Sequence, residues 1–479
     1  MTRIPAFAEL MALRGGTAPD ADEVSILGRD PFHPTPFRVG ETTAAVLAAV
    51  GVAANDIWAA RTGRRQSVTI DVRHAAATVR TVDYTQAPNA DGTFTHVPIP
   101  QTMAHMLTVT QPWPTRDGRW FLPHLNLPHL SRRVLEVLQC DSTPDAVRAA
   151  VARWDADALE DAIAAARACG GTIRTRDEWL AHPQGQYLAS RPVVEVDRIG
   201  VAPAPVWTST RTRDATQPLA GIRVLDLTRI LAGPIAGRTL AELGADVLMV
   251  TAPHLPQTPE HVRDTSHGKR SCFLDLRRDD DAQRMRALIA EADVLVDGYR
   301  PGALASLGFD DATLRALQPS LVHVSVSCFG SGGPWAERAG WEQVAQAVTG
   351  VCEAQGNAIG AGQPKLVFAP VCDYTTGYLA AYGTLLALAR RAREGGGYRV
   401  HTALAGAAML IQRQGMTEGF AHATGRLDDE ALRAWHVEET GPNGTLRTLG
   451  PALGLSETPP RWSRPTPTLG GDDAAWLPR

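Results

Sequence analysis

The chain has 479 residues, of which 44% are hydrophobic and 20% charged, with a formal net charge of -4. That apolar content sustains at least one large core and excludes disorder throughout, while the slight negative balance gives no general attraction to nucleic acid or an anionic membrane. Basic charge is nearly all arginine, with Lys269 and Lys365 the only lysines, so anion recognition falls to planar guanidinium groups.

The length suggests two or three domains. The opening MTRIPAFAELMALRGG lacks the apolar centre of a signal peptide, and no run approaches the roughly 18 apolar residues that span a bilayer, so no membrane partner is expected. His124 and His129 in FLPHLNLPHL fit a turn or the core better than a metal site. The stretch Ala202 to Leu219, rich in Pro, Thr and charge without an apolar period, reads as a linker. Residues 1–205 then form one segment, 206–218 the linker and 219–479 a second segment.

After the linker the pattern changes. IRVLDLT (Ile222–Thr228) is a β-type run, AGP (Ala232–Pro234) opens a helical stretch to Gly244, and DVLMV is a second strand. SCFLDL, a charged helix from Asp279 to Glu291, DVLVDG and LVHVSVSCF continue the alternation, which implies an α/β fold with a mostly parallel sheet. Asp373 to Arg393 reads as a helix with an acidic start and arginines in its last turn. From about Gly441, Pro and Gly stand too close together for long elements.

Cys140, Cys169, Cys272, Cys328, Cys352 and Cys372 form no C-x-x-C pair, which argues against a zinc knuckle and a disulfide framework and points to a reducing cytoplasm. A repeat is also legible. Val39–Ala76 lies without gaps over Val371–Ala408, with about a dozen identities including a shared L-A-A, a glycine and an R-x-G. In this register Glu41 falls on Asp373, and the N-terminal region reads as the rear part of a second, degenerate copy.

Several common sites are missing: there is no G-x-x-x-x-G-K-[ST], no G-x-S-x-G and no H-E-x-x-H. FGSGGP (Phe329–Pro334) lacks G-x-G-x-x-G spacing, which makes a simple Rossmann dehydrogenase a minor alternative. Asp373 has two readings, a helix N-cap or a carboxylate nucleophile kept ionised by the helix dipole and free N–H groups. The glycine and proline turns are either plain turns or places where a long ligand approaches the backbone.

PLAGIRVLDLTRILAGPIAGRTLAELGADVLMV (Pro218–Val250) resembles the opening of the family III CoA-transferases, the group containing formyl-CoA and carnitine CoA-transferases. SHGKRSCFLDL, ADVLVDGYRPGALASLGFD, LVHVSVSCFGSGGP and EQVAQAVTG follow in that family's order, and the resemblance covers Pro218 to about Arg413. The tail Gly441–Gly470 is similar to the family's C-terminal end. RDGRWFLPHL, TRDEWLAHPQGQ and VVEVDRIG resemble fragments of its smaller α+β region and return segment.

The resemblance implies Asp373 as the catalytic aspartate, coenzyme A as acyl-CoA substrate, a small carboxylic acid as second substrate, and no metal. Implied coenzyme A contacts are Leu231, Ala232, Leu274, Arg277, Gly298, Tyr299, Arg300, Ser306, Ala339 and Glu342. The chain departs from the pattern at Thr251, where an acidic residue is usual, at Cys372, where glycine is customary, and near Ser306, where an arginine is missing. These departures put the adenine-phosphate contacts in question, with Arg277, Arg300 or Lys269 as candidate substitutes.

The implied chemistry is attack by the Asp373 carboxylate on an acyl-CoA thioester, giving a mixed anhydride and then an enzyme thioester. Backbone N–H groups would hold each oxyanion. Similar α-methylacyl-CoA racemases carry a His-Asp step where this chain has Trp341 and Glu342, and tryptophan cannot abstract an α-proton. A non-catalytic coenzyme A-binding protein is the alternative from another class. Family members are interlocked homodimers; here either a homodimer or a pseudo-dimer within one chain is expected.

Overall fold

The computed structural model describes residues 4–20, 22–204, 216–442 and 444–478. The expected linker 206–218 lies outside the described residues except for its last three. In chain order the strands are β1 (Val24–Leu27), β2 (Val68–Asp71), β3 (Gln86–Pro88), β4 (Phe94–His96), β5 (Trp113–Pro114), β6 (Trp120–Pro123), β7 (Gly170–Thr172), β8 (Val194–Arg198), β9 (Arg223–Leu227), β10 (Asp246–Thr251), β11 (Arg270–Phe273), β12 (Val294–Asp297), β13 (Val322–Ser327), β14 (Tyr398–Ala403), β15 (His436–Gly441), β16 (Gly444–Leu449) and β17 (Gly454–Leu455).

The central sheet has the order β11-β10-β9-β12-β13-β14-β8, parallel except for β8. Strand β9, third in that order, is buried along its whole length, which is why the sequence there reads as an apolar run and not as an alternation. From β9 the chain winds first to β10 and β11, then returns to β12 on the other side. That reversal opens a crevice at the carboxyl ends of β9 and β12. A smaller α+β region holds the β5-β6-β7 sheet with helices Pro128–Leu138, Pro144–Val151 and Ala156–Ala165.

Two helices of equal length, Val39–Thr62 and Val371–Glu394, occupy the core. The first is long and apolar enough to cross a bilayer, with hydropathy 1.5, yet 83% of that window is buried inside the fold. It thus corrects the expectation that no run comes near spanning length: its alanines and valines serve close helix packing. Each helix leads into a strand, β2 or β14, and then into a short helix, Val72–Thr78 or Leu404–Arg413.

The segments 1–205 and 219–479 share their sheets. β14 receives its antiparallel edge partner β8 from the first segment, and β2 receives its antiparallel partner β17 from the second. The sheet β15-β16-β3-β4 also mixes the two. The segment from Gly441, expected to hold no long elements, contains the short strands β16 and β17, and β16 pairs antiparallel with β15.

Equivalent glycines let each long helix press on its exchanged pair. A Cβ at Gly383 would meet Val400 Cγ1 at 2.5 Å and Val194 Cγ1 at 2.6 Å. At Gly51 it would meet Val68 Cγ1 at 2.5 Å and Leu453 Cδ1 at 2.8 Å, beside β2 and β17. Gly51→Val and Gly383→Val should therefore each destabilise the protein by about 1–3 kcal/mol through overpacking, measured as a lower urea midpoint. Unchanged stability in either variant would show that the helix is not held this close.

Candidate active site

Asp373 lies at the third position of the Val371–Glu394 helix, whose N-cap is Pro370 with no side-chain cap bond. Its carboxylate therefore does not cap the helix. That role passes to Glu342, which accepts from the N–H of Asp373 at 2.6 Å and of Cys372 at 3.2 Å, and from Gln346 Nε2 at 2.7 Å. The neighbouring Tyr374 is fixed by its hydroxyl, which donates to Asp264 Oδ2 at 2.7 Å and bonds Thr81 Oγ1 at 2.7 Å.

Burial and the adjacent Glu342 carboxylate push the Asp373 carboxyl well above the usual range, opposed by the N–H of Ala232, which donates to it. Burial likewise raises Glu342, opposed by Gln346 and by the N–H groups of Asp373 and Cys372. The expectation that free N–H groups keep Asp373 ionised is corrected: those groups are taken by Glu342, and two buried carboxylates side by side resist double ionisation.

Ala232 begins the Ala232–Glu242 helix after β9, and Lys269 anchors this turn. The Lys269 ammonium is wholly buried and donates to Asp226 Oδ2 at 2.7 Å and Pro234 O at 2.8 Å. It is unavailable to a ligand, which removes it as a substitute phosphate contact. Close contact of the two helices needs Gly377, where a Cβ would stand 2.5 Å from Ala232 O.

Asp373 opens into a cavity of about 270 Å³. Of the ten expected coenzyme A contacts, Leu231, Ala232, Gly298, Tyr299, Arg300 and Ala339 line it. The other four lie elsewhere. Leu274 packs in the core, the exposed Arg277 pairs with Asp275 at 2.7 Å, and Ser306 turns its hydroxyl to Ala303 O. Glu342 is 3% exposed and spends its oxygens on the helix start, so it positions Asp373 from beneath.

Sequence reasoning missed part of the lining. Leu127, His129 and Leu130 of the first segment line the same cavity as Asp373. Leu127 and Ile230, both lining the cavity, hold positive φ values of 51° and 77°, a strain of about 1–3 kcal/mol each of the kind that gathers at ligand sites. Nothing in L-N-L-P-H announces such a backbone. His124 is buried, stacked on Trp341 with centroids 5.0 Å apart and bonded to Gln343, in keeping with a core role.

Glu41 sits at the third position of its own helix as Asp373 does. Asp30 there plays the part of Glu342, accepting from the N–H of Glu41 at 2.8 Å and of Gly40 at 3.3 Å. Glu41 itself is paired with Arg38 at 2.9 Å.

The family described as CoA-transferase family III matches residues 24–216 and 219–435. An acetyl-coenzyme A transferase of Hypoxylon pulicicidum is 33% identical over 313 residues, covering 62% of this chain and 53% of that protein. An acyl-CoA transferase of Gibberella moniliformis is 28% identical over 526 residues, covering 97% and 91%. A succinate–glutarate CoA-transferase of Agrobacterium fabrum is 34% identical over 207 residues, 39% of this chain and 51% of that protein. The match thus spans about half the length of the first and third of these relatives. A solved CAIB/BAIF family protein of Brucella suis is 29% identical over 48% of this chain and 65% of its own, with a TM-score of 0.38.

Removing the neighbouring negative charge favours ionised Asp373. Glu342→Gln should therefore move the acid limb of the pH–rate profile to lower pH, since the Asp373 pKa falls, while the loss of one acceptor costs about 1–2 kcal/mol of stability. An acid limb unmoved, or moved upward, would mean that Glu342 does not set the charge state of Asp373.

Proposed function

Because the chain belongs to CoA-transferase family III, we propose that it moves coenzyme A between an acyl-CoA and a carboxylic acid, with Asp373 as the covalent nucleophile. The observation that carries this reading is the Asp373 carboxylate on the wall of the cavity, beside the start of the Ala232–Glu242 helix, whose first backbone N–H favours its charged form.

In the proposed sequence an ionised Asp373 oxygen attacks the thioester carbonyl, the C–S bond breaks, and an aspartyl anhydride and coenzyme A thiolate result. The thiolate then attacks the aspartyl carbonyl, releasing the first acid and leaving an aspartyl thioester. The acceptor carboxylate attacks that thioester, and the returning thiolate takes the new acyl group from the second anhydride, which restores Asp373. The Ala232 N–H at the helix start is placed to bond the oxygen that gains charge in these steps.

We further propose that residues 1–205 are a degenerate copy and that the chain is its own pseudo-dimer. The matching helix–strand–helix order, the crosswise edge strands, and the parallel roles of Asp30 and Glu342 support this. A racemase reading would need a base where Trp341 stands. The six cysteines, all free thiols, support a reducing cytoplasm as the setting.

Asp373→Asn should keep stability within about 1 kcal/mol, being nearly isosteric and outside the capping bonds, yet lower transfer by about three orders of magnitude or more. Mass spectrometry of the parent with varied acyl-CoAs should show a covalent adduct on Asp373 that the variant lacks. Near-parental transfer by folded Asp373→Asn would end the mechanism. Glu41→Gln should leave turnover within a few-fold of the parent; a loss as large as that of Asp373→Asn would mean that both copies work.

A further inference from the structure

Two of the arginines that might serve a ligand are committed. Arg338 on its wall pairs with Asp161 at 3.0 Å, and Arg277 pairs with Asp275. A different group stands at the junction of the two segments. Arg229 and Arg300 line the cavity on the second segment, while Arg132, Arg133 and Arg167 come from the first. Among the described residues no carboxylate pairs with any of these five.

They are nonetheless drawn together. Arg133 Nη1 and Arg300 Nη1 donate to the same carbonyl, Arg167 O, at 3.1 and 3.3 Å. Arg229 lies over the Tyr299 ring at 5.5 Å and donates to Pro256 O at 3.0 Å. His129, on the same wall, is held below its ordinary pKa by burial and by Arg133, Arg229, Arg300 and Arg132, in that order. Guanidinium groups gathered without counter-charge repel one another unless an anion sits among them.

We infer that Arg133 and Arg167 join Arg229 and Arg300 to hold the phosphate groups of coenzyme A, so that the N-terminal segment supplies charge to a site whose nucleophile lies on the C-terminal segment. This rests on reading the cavity as the acyl-CoA site. The ligand carries a diphosphate and a further phosphate that require several cations, and planar forks suit them. Arg277, expected for this task, is turned onto Asp275, and Lys269 is buried on Asp226. The charged neighbour that shifts Asp373 is Glu342, while Arg133 and Arg300 converge on Arg167 O of the first segment. The arginine group therefore serves a part of the substrate remote from the reacting carbon.

The test is calorimetric titration of the full chain with coenzyme A, 3′-dephospho-coenzyme A and pantetheine, at low and high salt. Arg133→Gln and Arg167→Gln should each weaken coenzyme A binding by about tenfold, reduce its salt dependence, and leave pantetheine binding unchanged. Arg133→Lys should recover much of the loss. Unchanged coenzyme A binding in both glutamine variants overturns the inference, as does an equal loss for pantetheine, which would mark a structural role. Unchanged coenzyme A binding together with a raised KM for a dicarboxylic acceptor would assign the group to a distal carboxylate and overturn it as well. Titration needs no turnover, so loss of phosphate recognition and failure of covalent chemistry at Asp373 are read separately.

Discussion

The exchange of edge strands, β8 onto β14 and β17 onto β2, constrains everything else in the molecule. An unpaired strand edge leaves N–H and C=O groups unsatisfied, so each half needs the other to complete its hydrogen-bond ladder. The two long helices can pack side by side because each has its own strand pair at its back, with a glycine at the point of closest approach. The helix carrying Asp373 is thereby held on three sides: by the Val39–Thr62 helix, by the Ala232–Glu242 helix, and by the sheet.

That rigidity is what allows a carboxylate to be buried beside another carboxylate. Glu342 is tolerable where it lies only because three donors converge on it. Its placement ties the start of one helix to the start of another, and it leaves Asp373 with one N–H partner and an unfavourable electrostatic neighbour. A carboxyl pushed upward in this way and facing a cavity is the kind of group found at functional sites. The similar arrangement at Asp30 and Glu41 differs in one respect: Glu41 is paired with Arg38.

The parallel sheet was legible because buried strands such as β9 and β12 are continuous apolar runs separated by helical stretches. The helix at Asp373 was legible from its acidic start and basic end, within two residues of its bounds. The cavity walls that follow β9 and β12 came from the family resemblance, since glycine and proline turns alone left plain turns and ligand approach both open. What could not be read was everything that depends on the crossing of the two segments. Glu342, implied by resemblance as a coenzyme A contact, is instead buried against the start of the Asp373 helix. Leu127, His129 and the arginines of the α+β region carry no motif, and they reach the cavity only because the chain returns through β8.

The position of β17 has a consequence for biosynthesis. β2 is made early, but the strand that covers its open edge lies near the far end of the chain. During translation the edge of β2 stays exposed until the chain has grown as far as Leu455, a long-range pairing that folds late and invites wrong partners meanwhile. β8, by contrast, is already waiting when β14 emerges. Loss of the last few dozen residues, by a nonsense codon or by a protease, would therefore unpair a strand in the N-terminal half while leaving the coding region of that half intact.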